Sequence, residues 1–117
     1  MSVDQGLVDR VADMVAVLGV PSSRRMMGGT TLYCDGIPYA IVDDDLLWFK
    51  ADTASDPQWD EAGAAKFSYE RDGKTATMNY RRAPDDCYDD DDVFRHWAEL
   101  ALAAGRRAAA KKAARRR

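Results

Sequence analysis

The chain has 117 residues, 46% of them hydrophobic and 32% charged, with a formal net charge of −3. This composition is typical of one globular domain and excludes a disordered or collagen-like chain. No apolar run approaches the roughly 20 residues that a membrane-spanning helix needs, and the first residues lack the pattern of a secretory signal. We therefore expect a soluble, cytoplasmic protein with no membrane partner.

The first predicted element is an amphipathic helix over residues 3–18. Ser2 and Gln5 have the spacing of a capping box, and Gly19 followed by Pro21 is expected to end the helix through a left-handed glycine cap. The apolar residues recur at spacings of three and four, which places them on one helical face. They are Val3, Leu7, Val8, Val11, Met14, Val15 and Leu18.

A three-stranded antiparallel meander is predicted between residues 24 and 50. Asp35 and Gly36 separate two β-prone runs, and this dipeptide suits a hairpin turn that needs positive φ at both central residues. Pro38 lacks an amide hydrogen, so we expect it near a strand start or facing an unpaired edge. The third strand is expected over residues 46–50, after a turn of three aspartates.

A short helix and a second hairpin follow. The helix is expected over residues 53–62, with Trp59 facing inward and Gly63 ending it. Asp72-Gly73 predicts the hairpin turn, and apolar residues alternate with polar ones in its strands, so we expect the polar set on a solvated face. The apolar set is Phe67, Tyr69, Ala76, Met78 and Tyr80, and the polar set is Thr75, Thr77, Asn79 and Arg81.

The last predicted helix begins near Asp91 or Asp92, where acidic residues favour the positive end of the helix dipole. Gly105 ends this helix, or alanine and arginine propensity carries it through the remaining residues. The apolar stripe consists of Val93, Phe94, Trp97, Leu100, Ala101 and Ala104. The whole order, α-β-β-β-α-β-β-α, predicts a two-layer α+β domain whose helices cover one face of a five-stranded antiparallel sheet.

The charges are sharply divided along the chain. Residues 106–117 contain seven cations and no carboxylate, whereas the other 105 residues carry ten cations and 20 carboxylates, a formal charge of −10. We therefore divide the chain into a domain over 1–105 and a basic extension over 106–117. Its cations could contact nucleic-acid phosphates, or they could serve solubility or pair with the aspartate clusters of the domain. They are Arg106, Arg107, Lys111, Lys112, Arg115, Arg116 and Arg117.

No motif in the sequence predicts catalysis. Gly28-Gly29 lacks the remainder of a nucleotide-binding fingerprint, and the aspartates over 85–92 lack the spacing of a calcium loop. Cys34 is expected to be buried in a strand, and Cys87 in a polar loop is expected to be more accessible. His96 is expected to be a partly exposed helical residue. We predict no catalytic residue, no metal site and no cofactor, and hence no enzyme.

Several short motifs follow one another in a set order: 25–29 (RMMGG), 32–36 (LYCDG), 39–42 (YAIV), 46–52 (LLWFKAD), 67–70 (FSYE) and 77–80 (TMNY). In order and spacing they resemble the N-terminal domain family of the competence regulator TfoX, over about residues 3–105. Met27 and Thr31 depart from the family pattern, which has an aromatic residue and a glycine there.

The resemblance implies a stand-alone regulatory module with the α+β fold of the family. It does not imply a competence-regulating activity, which belongs to two-domain proteins. We interpret the residues of the family motifs as structural. They are Arg25, Gly28, Gly29, Tyr33, Asp35, Gly36, Lys50, Tyr69, Met78 and Tyr80.

Two functional hypotheses follow. The first is a non-enzymatic cytoplasmic module that binds another protein, or a second copy of itself, through its sheet and aromatic surface. The second is a nucleic-acid-associated accessory protein that binds phosphates through residues 106–117, with a steep dependence on salt.

Overall fold

The computed structural model describes residues 5–26, 29–43 and 45–116. One antiparallel sheet has the strand order β1-β2-β3-β4-β6-β5, and helices pack on one of its faces. The strands are β1 (Pro21–Met26), β2 (Gly29–Cys34), β3 (Ile37–Asp43), β4 (Leu46–Lys50), β5 (Lys66–Arg71) and β6 (Lys74–Arg82). The helices are α1 (Gln5–Val15), α2 (Asp56–Glu61) and α3 (Asp91–Arg115), and a short 3₁₀ helix spans Asp85–Tyr88. The α+β class is confirmed.

The sheet has six strands, so the prediction of five was wrong. The additional strand is β1, which pairs antiparallel with β2 and lies at the edge of the sheet. Every residue of β1 except Pro21 is exposed, and its sequence has no apolar alternation that would have predicted a strand. Pro21 stands at its first position, where a missing amide hydrogen is tolerated.

Helix α1 buries the predicted face through Val8, Val11, Met14 and Val15. It ends at Val15, before the predicted stop at Gly19, and Gly19 is not among the described glycines with positive φ, so the left-handed cap was wrong. A Cβ atom at this glycine would instead collide with the carboxylate of Asp35. The predicted capping box and Val3 involve residues that lie outside the described ranges.

Both predicted hairpin turns are confirmed. Asp35 and Gly36 have φ values of 53° and 78°, and Asp72 and Gly73 have φ values of 53° and 75°. Positive φ at both central residues is the geometry that the two Asp-Gly pairs predicted. Pro38 lies near the start of β3, as expected, opposite β2 at an irregularity in the register.

The core lies between the sheet and the helices. Phe49 of β4 packs against Trp59 of α2 and Phe94 of α3, with ring centroids 5.8 Å and 5.7 Å apart, and Trp59 stacks on Trp97 at 4.4 Å. Phe49, Trp59 and Phe94 are fully buried. These contacts fix α2 and α3 on the same face and confirm the inward position predicted for Trp59.

The polar set of β6 contains one error of prediction. Arg81 is only 2% exposed, although its alternation with Thr77 and Asn79, which are exposed, predicted a solvated position. The register places it opposite Phe49, on the helix-covered face. There its guanidinium donates to the Asp56 carboxylate at 3.2 Å and to the Asp60 carboxylate at 2.8 Å. A third hydrogen bond, of 2.9 Å, reaches the backbone oxygen of residue 64.

The two cysteines are both buried. Cys34 lies in β2 as predicted, but the expectation that Cys87 is more accessible was wrong, because the 3₁₀ helix turns this side chain into the core at 0% exposure. Burial raises the pKa of the Cys87 thiol to about 12. The thiol is therefore protonated and shielded near neutral pH.

Helix α3 continues through Gly105 to Arg115, which decides between the two predicted ends. The Asp90 side chain caps the first turn of this helix by accepting hydrogen bonds from the backbone amides of Asp92 and Val93, at 3.0 Å and 3.1 Å. Gly105 is buried and packs closely against β3. A Cβ atom at this position would lie 2.6 Å from the backbone oxygen of Pro38. The domain boundary predicted at residue 105 thus falls inside one continuous helix, and the division remains a prediction. Across the described ranges, none of the helices has the length and apolarity to cross a membrane.

Candidate functional site

The face of the sheet opposite the helices, which we call the open face, contains a groove of about 470 Å³. None of the described helices contributes to its lining. The groove is lined on one side by residues of β1–β3 and on the other by residues of the β5–β6 hairpin. Its lining residues are Met26, Gly29, Thr30, Thr31, Ile41, Val42, Asp43, Phe67, Tyr69, Met78 and Tyr80.

The strand register explains how a row of side chains comes to share this face. Thr31 lies opposite Ile41, and Ile41 lies opposite Trp48, so one row crosses three strands. The row continues on the hairpin side, because the Trp48 ring meets the Phe67 ring edge-on with centroids 4.9 Å apart. Phe67 in turn lies opposite Met78. The Nε1 atom of Trp48 is buried and has no hydrogen-bond partner in the described part of the chain.

Large apolar side chains remain accessible to water in this groove. Met26 is 58% exposed, Met78 41% and Tyr69 38%. Met26 is oriented by the Thr31 hydroxyl, which donates to its sulfur at 2.9 Å. Exposed apolar residues are ordinary when scattered, but a contiguous group around a groove is typical of an interaction site.

Cationic residues lie beside the residues that line the groove, although none of the described ones belongs to the lining itself. Arg24 lies opposite Thr31 at one end of the row, and Arg82 lies opposite Trp48 at the other end, and both are exposed. The Lys50 ammonium lies 5.3 Å from the centroid of the Tyr80 ring, a cation–π distance. Burial, with a smaller contribution from a neighbouring tyrosine, raises the pKa of Tyr80, so its hydroxyl is a neutral hydrogen-bonding group near pH 7.

A family model described as the TfoX N-terminal domain matches residues 13–105. The chain belongs to the TfoX N-terminal domain family. No match was found among curated proteins. The family match covers all six strands, α2, the end of α1 and the first part of α3, and it ends before the first cation of the basic extension.

Four of the family-motif residues line the groove, and a fifth, Lys50, lies beside it over the Tyr80 ring. Tyr69, Met78 and Tyr80 line the groove with Gly29, where a Cβ atom would lie 2.7 Å from the backbone oxygen of Val42. The glycine therefore permits a close approach between β2 and β3. The other three occupy positions from which they could contact a ligand, in addition to the structural role that we expected.

The remaining family-motif residues are dispersed. Asp35 and Gly36 form the first hairpin turn, and Arg25 is exposed on β1. Tyr33 lines a smaller cavity of about 180 Å³ between α1 and the sheet. Gly28 lies outside the described residues, so the bend predicted for it with Gly29 is not described.

Sequence reasoning missed the groove although one signal was present. The apolar alternation in β5 and β6 was interpreted as the inner side of the hairpin, yet Tyr69 and Met78 face the side that no described helix covers. Such alternation shows that two faces differ, and it does not show which face receives the helices.

The predicted nucleic-acid contacts lie along the last three turns of α3. In the described part of the extension, Arg107 is the cation that forms an ion pair, and it binds both carboxylate oxygens of Asp52 at 2.6 Å and 2.8 Å. This contact lowers the pKa of Asp52 to about 2. The other described cations are exposed: Arg106, Lys111, Lys112, Arg115 and Arg116. Arg117 lies outside the described residues.

The alternative that the extension pairs with the aspartates around residues 85–92 is limited by distance. Lys111 lies 20 residues from Asp91 along the same helix, and at 1.5 Å per residue this is about 30 Å. A straight helix cannot bring these charges together within one chain. Asp52, outside that cluster, is the carboxylate that the extension contacts.

The other candidate groups show no assembled chemistry. His96 is exposed and its ring lies edge-on to Trp97 at 4.9 Å. Within the described ranges, no three His, Cys, Asp or Glu residues are grouped as metal ligands would be. The expectations of no catalytic residue, no metal and no cofactor stay predictions.

Proposed function

We propose that the protein is a non-enzymatic, cytoplasmic regulatory module that binds a protein partner over its open face. One observation carries the proposal: Met26, Tyr69 and Met78 stay exposed around one groove although the same fold fully buries comparable side chains on the other face. Family membership supports a regulatory role.

The composition of the groove suits protein recognition. Aromatic residues and methionine are enriched at the centres of interfaces, and the flexible methionine side chain adapts to partners of different shape. Covering apolar surface contributes roughly 25 cal/mol per Å², so a partner that shields Met26, Tyr69 and Met78 gains binding energy. Phe67, which also lines the groove, is held by an edge-on contact with Trp48.

Affinity capture from native cell extract tests the proposal. The bait is the full chain, compared with a Tyr69→Ser/Met78→Ser variant and with a matched Val17→Ser/Val20→Ser variant. Val17 and Val20 are each 71% exposed and lie outside the groove. We expect a specific partner to be lost with the groove variant and retained with the control. Equal capture by both variants, or a defined enzymatic turnover by the purified protein, would contradict the proposal.

A second candidate function is phosphate-backbone binding by the extension. The observation that favours it is the group of four exposed cations on the last turns and C-cap of α3, beyond the Arg107 contact: Lys111, Lys112, Arg115 and Arg116. Removing residues 108–117 leaves the Arg107–Asp52 pair intact, so the domain should remain folded while nucleic-acid affinity is lost. Binding should also weaken steeply with salt, since each neutralised phosphate releases counterions. Unchanged affinity after truncation would exclude this function.

A further inference from the structure

The charge on the open face is opposite to that of the domain that carries it. Residues 1–105 have a formal charge of −10, yet Arg24 and Arg82 stand at the two ends of the row that crosses the groove floor, and Lys50 lies over Tyr80. Among the described residues that line the groove, Asp43, next to the β3–β4 turn, carries a carboxylate. The groove is therefore an apolar site with cationic flanks on an acidic body.

This pattern disfavours a second copy of the chain as the occupant. Face-to-face packing of two open faces would bring Arg24, Lys50 and Arg82 of each copy towards the same cations of the other. Like charges that are brought together at an interface cost free energy, whereas opposite charges favour encounter and orientation. The charge of the face thus selects a partner that is acidic as well as apolar.

We propose that the groove binds an acidic, apolar segment of a protein partner. The apolar side chains of that segment fill the space between Met26 and Met78, and its carboxylates pair with Arg24 and Arg82. The inference rests on the proposed function and adds the chemistry of the partner to it.

Three synthetic peptides of equal length provide the probes. The first alternates leucine with glutamate, the second alternates leucine with lysine, and the third alternates serine with glutamate. Each is titrated into the full chain labelled at its methionine methyl groups and followed by NMR. Met26 and Met78 report on the groove, and Met14, a buried residue of α1, serves as the internal reference.

We expect saturable shifts of the Met26 and Met78 methyl signals with the leucine–glutamate peptide alone. An Arg24→Gln/Arg82→Gln variant should bind this peptide about fivefold more weakly, which corresponds to two partly exposed ion pairs. The matched control is Arg25→Gln, since Arg25 is an exposed neighbour on the other side of β1. It should leave the affinity unchanged.

The basic extension offers an acidic peptide a second place to bind, so the titration is repeated with residues 108–117 removed. Retention of the methionine shifts supports the groove. Shifts that vanish with the extension, equal binding of the leucine–lysine peptide, or no binding of any probe would each overturn the acidic-segment proposal. Methyl shifts that depend on protein concentration without peptide would also overturn it, in favour of a second copy.

The proposed function fails separately from this inference. Capture from extract could depend on Tyr69 and Met78 while the captured partner contacts the groove through a neutral or basic segment. This result would support the proposed interaction module and contradict the preference for an acidic segment. If capture does not depend on the groove, both fall.

Discussion

The two faces of the sheet carry side chains of similar kind with opposite fates. On the helix-covered face, Leu47 and Phe49 are 0% exposed, whereas on the open face Met26 and Met78 remain 58% and 41% exposed. Between these faces, β6 alternates: Arg81 is buried, while Met78 is not. Hydrophobicity therefore does not decide which side chains are buried here. The position of α2 and α3 decides it, because these helices supply both the apolar cover and the carboxylates that make a buried arginine tolerable.

The largest expected loss of stability comes from removing a buried side chain of the helices that cover the sheet. Phe94→Ala should lower the free energy of unfolding by about 3–5 kcal/mol, because it leaves a cavity beside Phe49. Met78→Ala, on the open face, should lower it by less than about 1 kcal/mol. Urea denaturation of both variants measures the difference. Similar losses for the two would show that the open face is packed like the core.

Arg81 tests the polar part of the same cover. Arg81→Ala should destabilise the fold by about 3 kcal/mol, at the low end of the range for breaking a buried ion pair. The low end applies because the Asp60 side chain is 66% exposed and the Asp56 side chain 22%, so both carboxylates can be rehydrated. Arg82→Ala, one residue along and exposed, is the control and should change the unfolding midpoint little.

Gly105 tests how closely α3 approaches the sheet. Alanine normally stabilises a helix interior by about 1 kcal/mol relative to glycine. Here the added methyl group would lie 2.6 Å from the Pro38 carbonyl oxygen, and overpacking costs about 1–3 kcal/mol. We expect Gly105→Ala to be destabilising by about 1 kcal/mol in thermal or urea unfolding. A more stable variant would show that β3 can shift away from the added methyl group without loss of stability.

The smallest effect concerns Asp52, which joins the extension to the domain. Its folded pKa of about 2 lies below the ordinary value of 3.8 for this side chain, so its contribution to stability is present above pH 3.8 and is lost as the pH falls towards 2. Since the pair is partly exposed, we expect at most about 1 kcal/mol. Asp52→Asn should remove this part of the acid dependence in pH-dependent unfolding. Arg107→Gln separates the ion pair from the hydrogen bond that Asp52 also accepts from Ser55.

Elements with a complete local signal were predicted correctly. The two Asp-Gly turns and the buried stripe of α1 depend on residues close together in sequence, and the structure places them as expected. The errors concern contacts between distant residues. Arg81 meets Asp56 across 25 positions, and neither residue alone indicates that meeting.

The candidate site shows the same division. The apolar alternation of β5 and β6 was visible in the sequence, but the groove also needs Met26 from β1, a strand that no local pattern revealed. The sequence allowed α3 either to end at Gly105 or to continue through the extension. The continuous helix depends on the packing of Gly105 against Pro38, 67 positions earlier, which no local pattern indicates. The composition indicated the charge of the extension, whereas a tertiary contact determines the path of its helix.

The polar sequence that concealed β1 has a consequence for the behaviour of the protein in solution. As an edge strand, β1 presents unpaired backbone groups that could recruit a strand from another molecule and start aggregation. Pro21 removes one amide donor, and Arg24 and Arg25 place charge along the edge. An apolar alternating sequence would have been easier to recognise as a strand, and it would have made this edge a template for fibril growth.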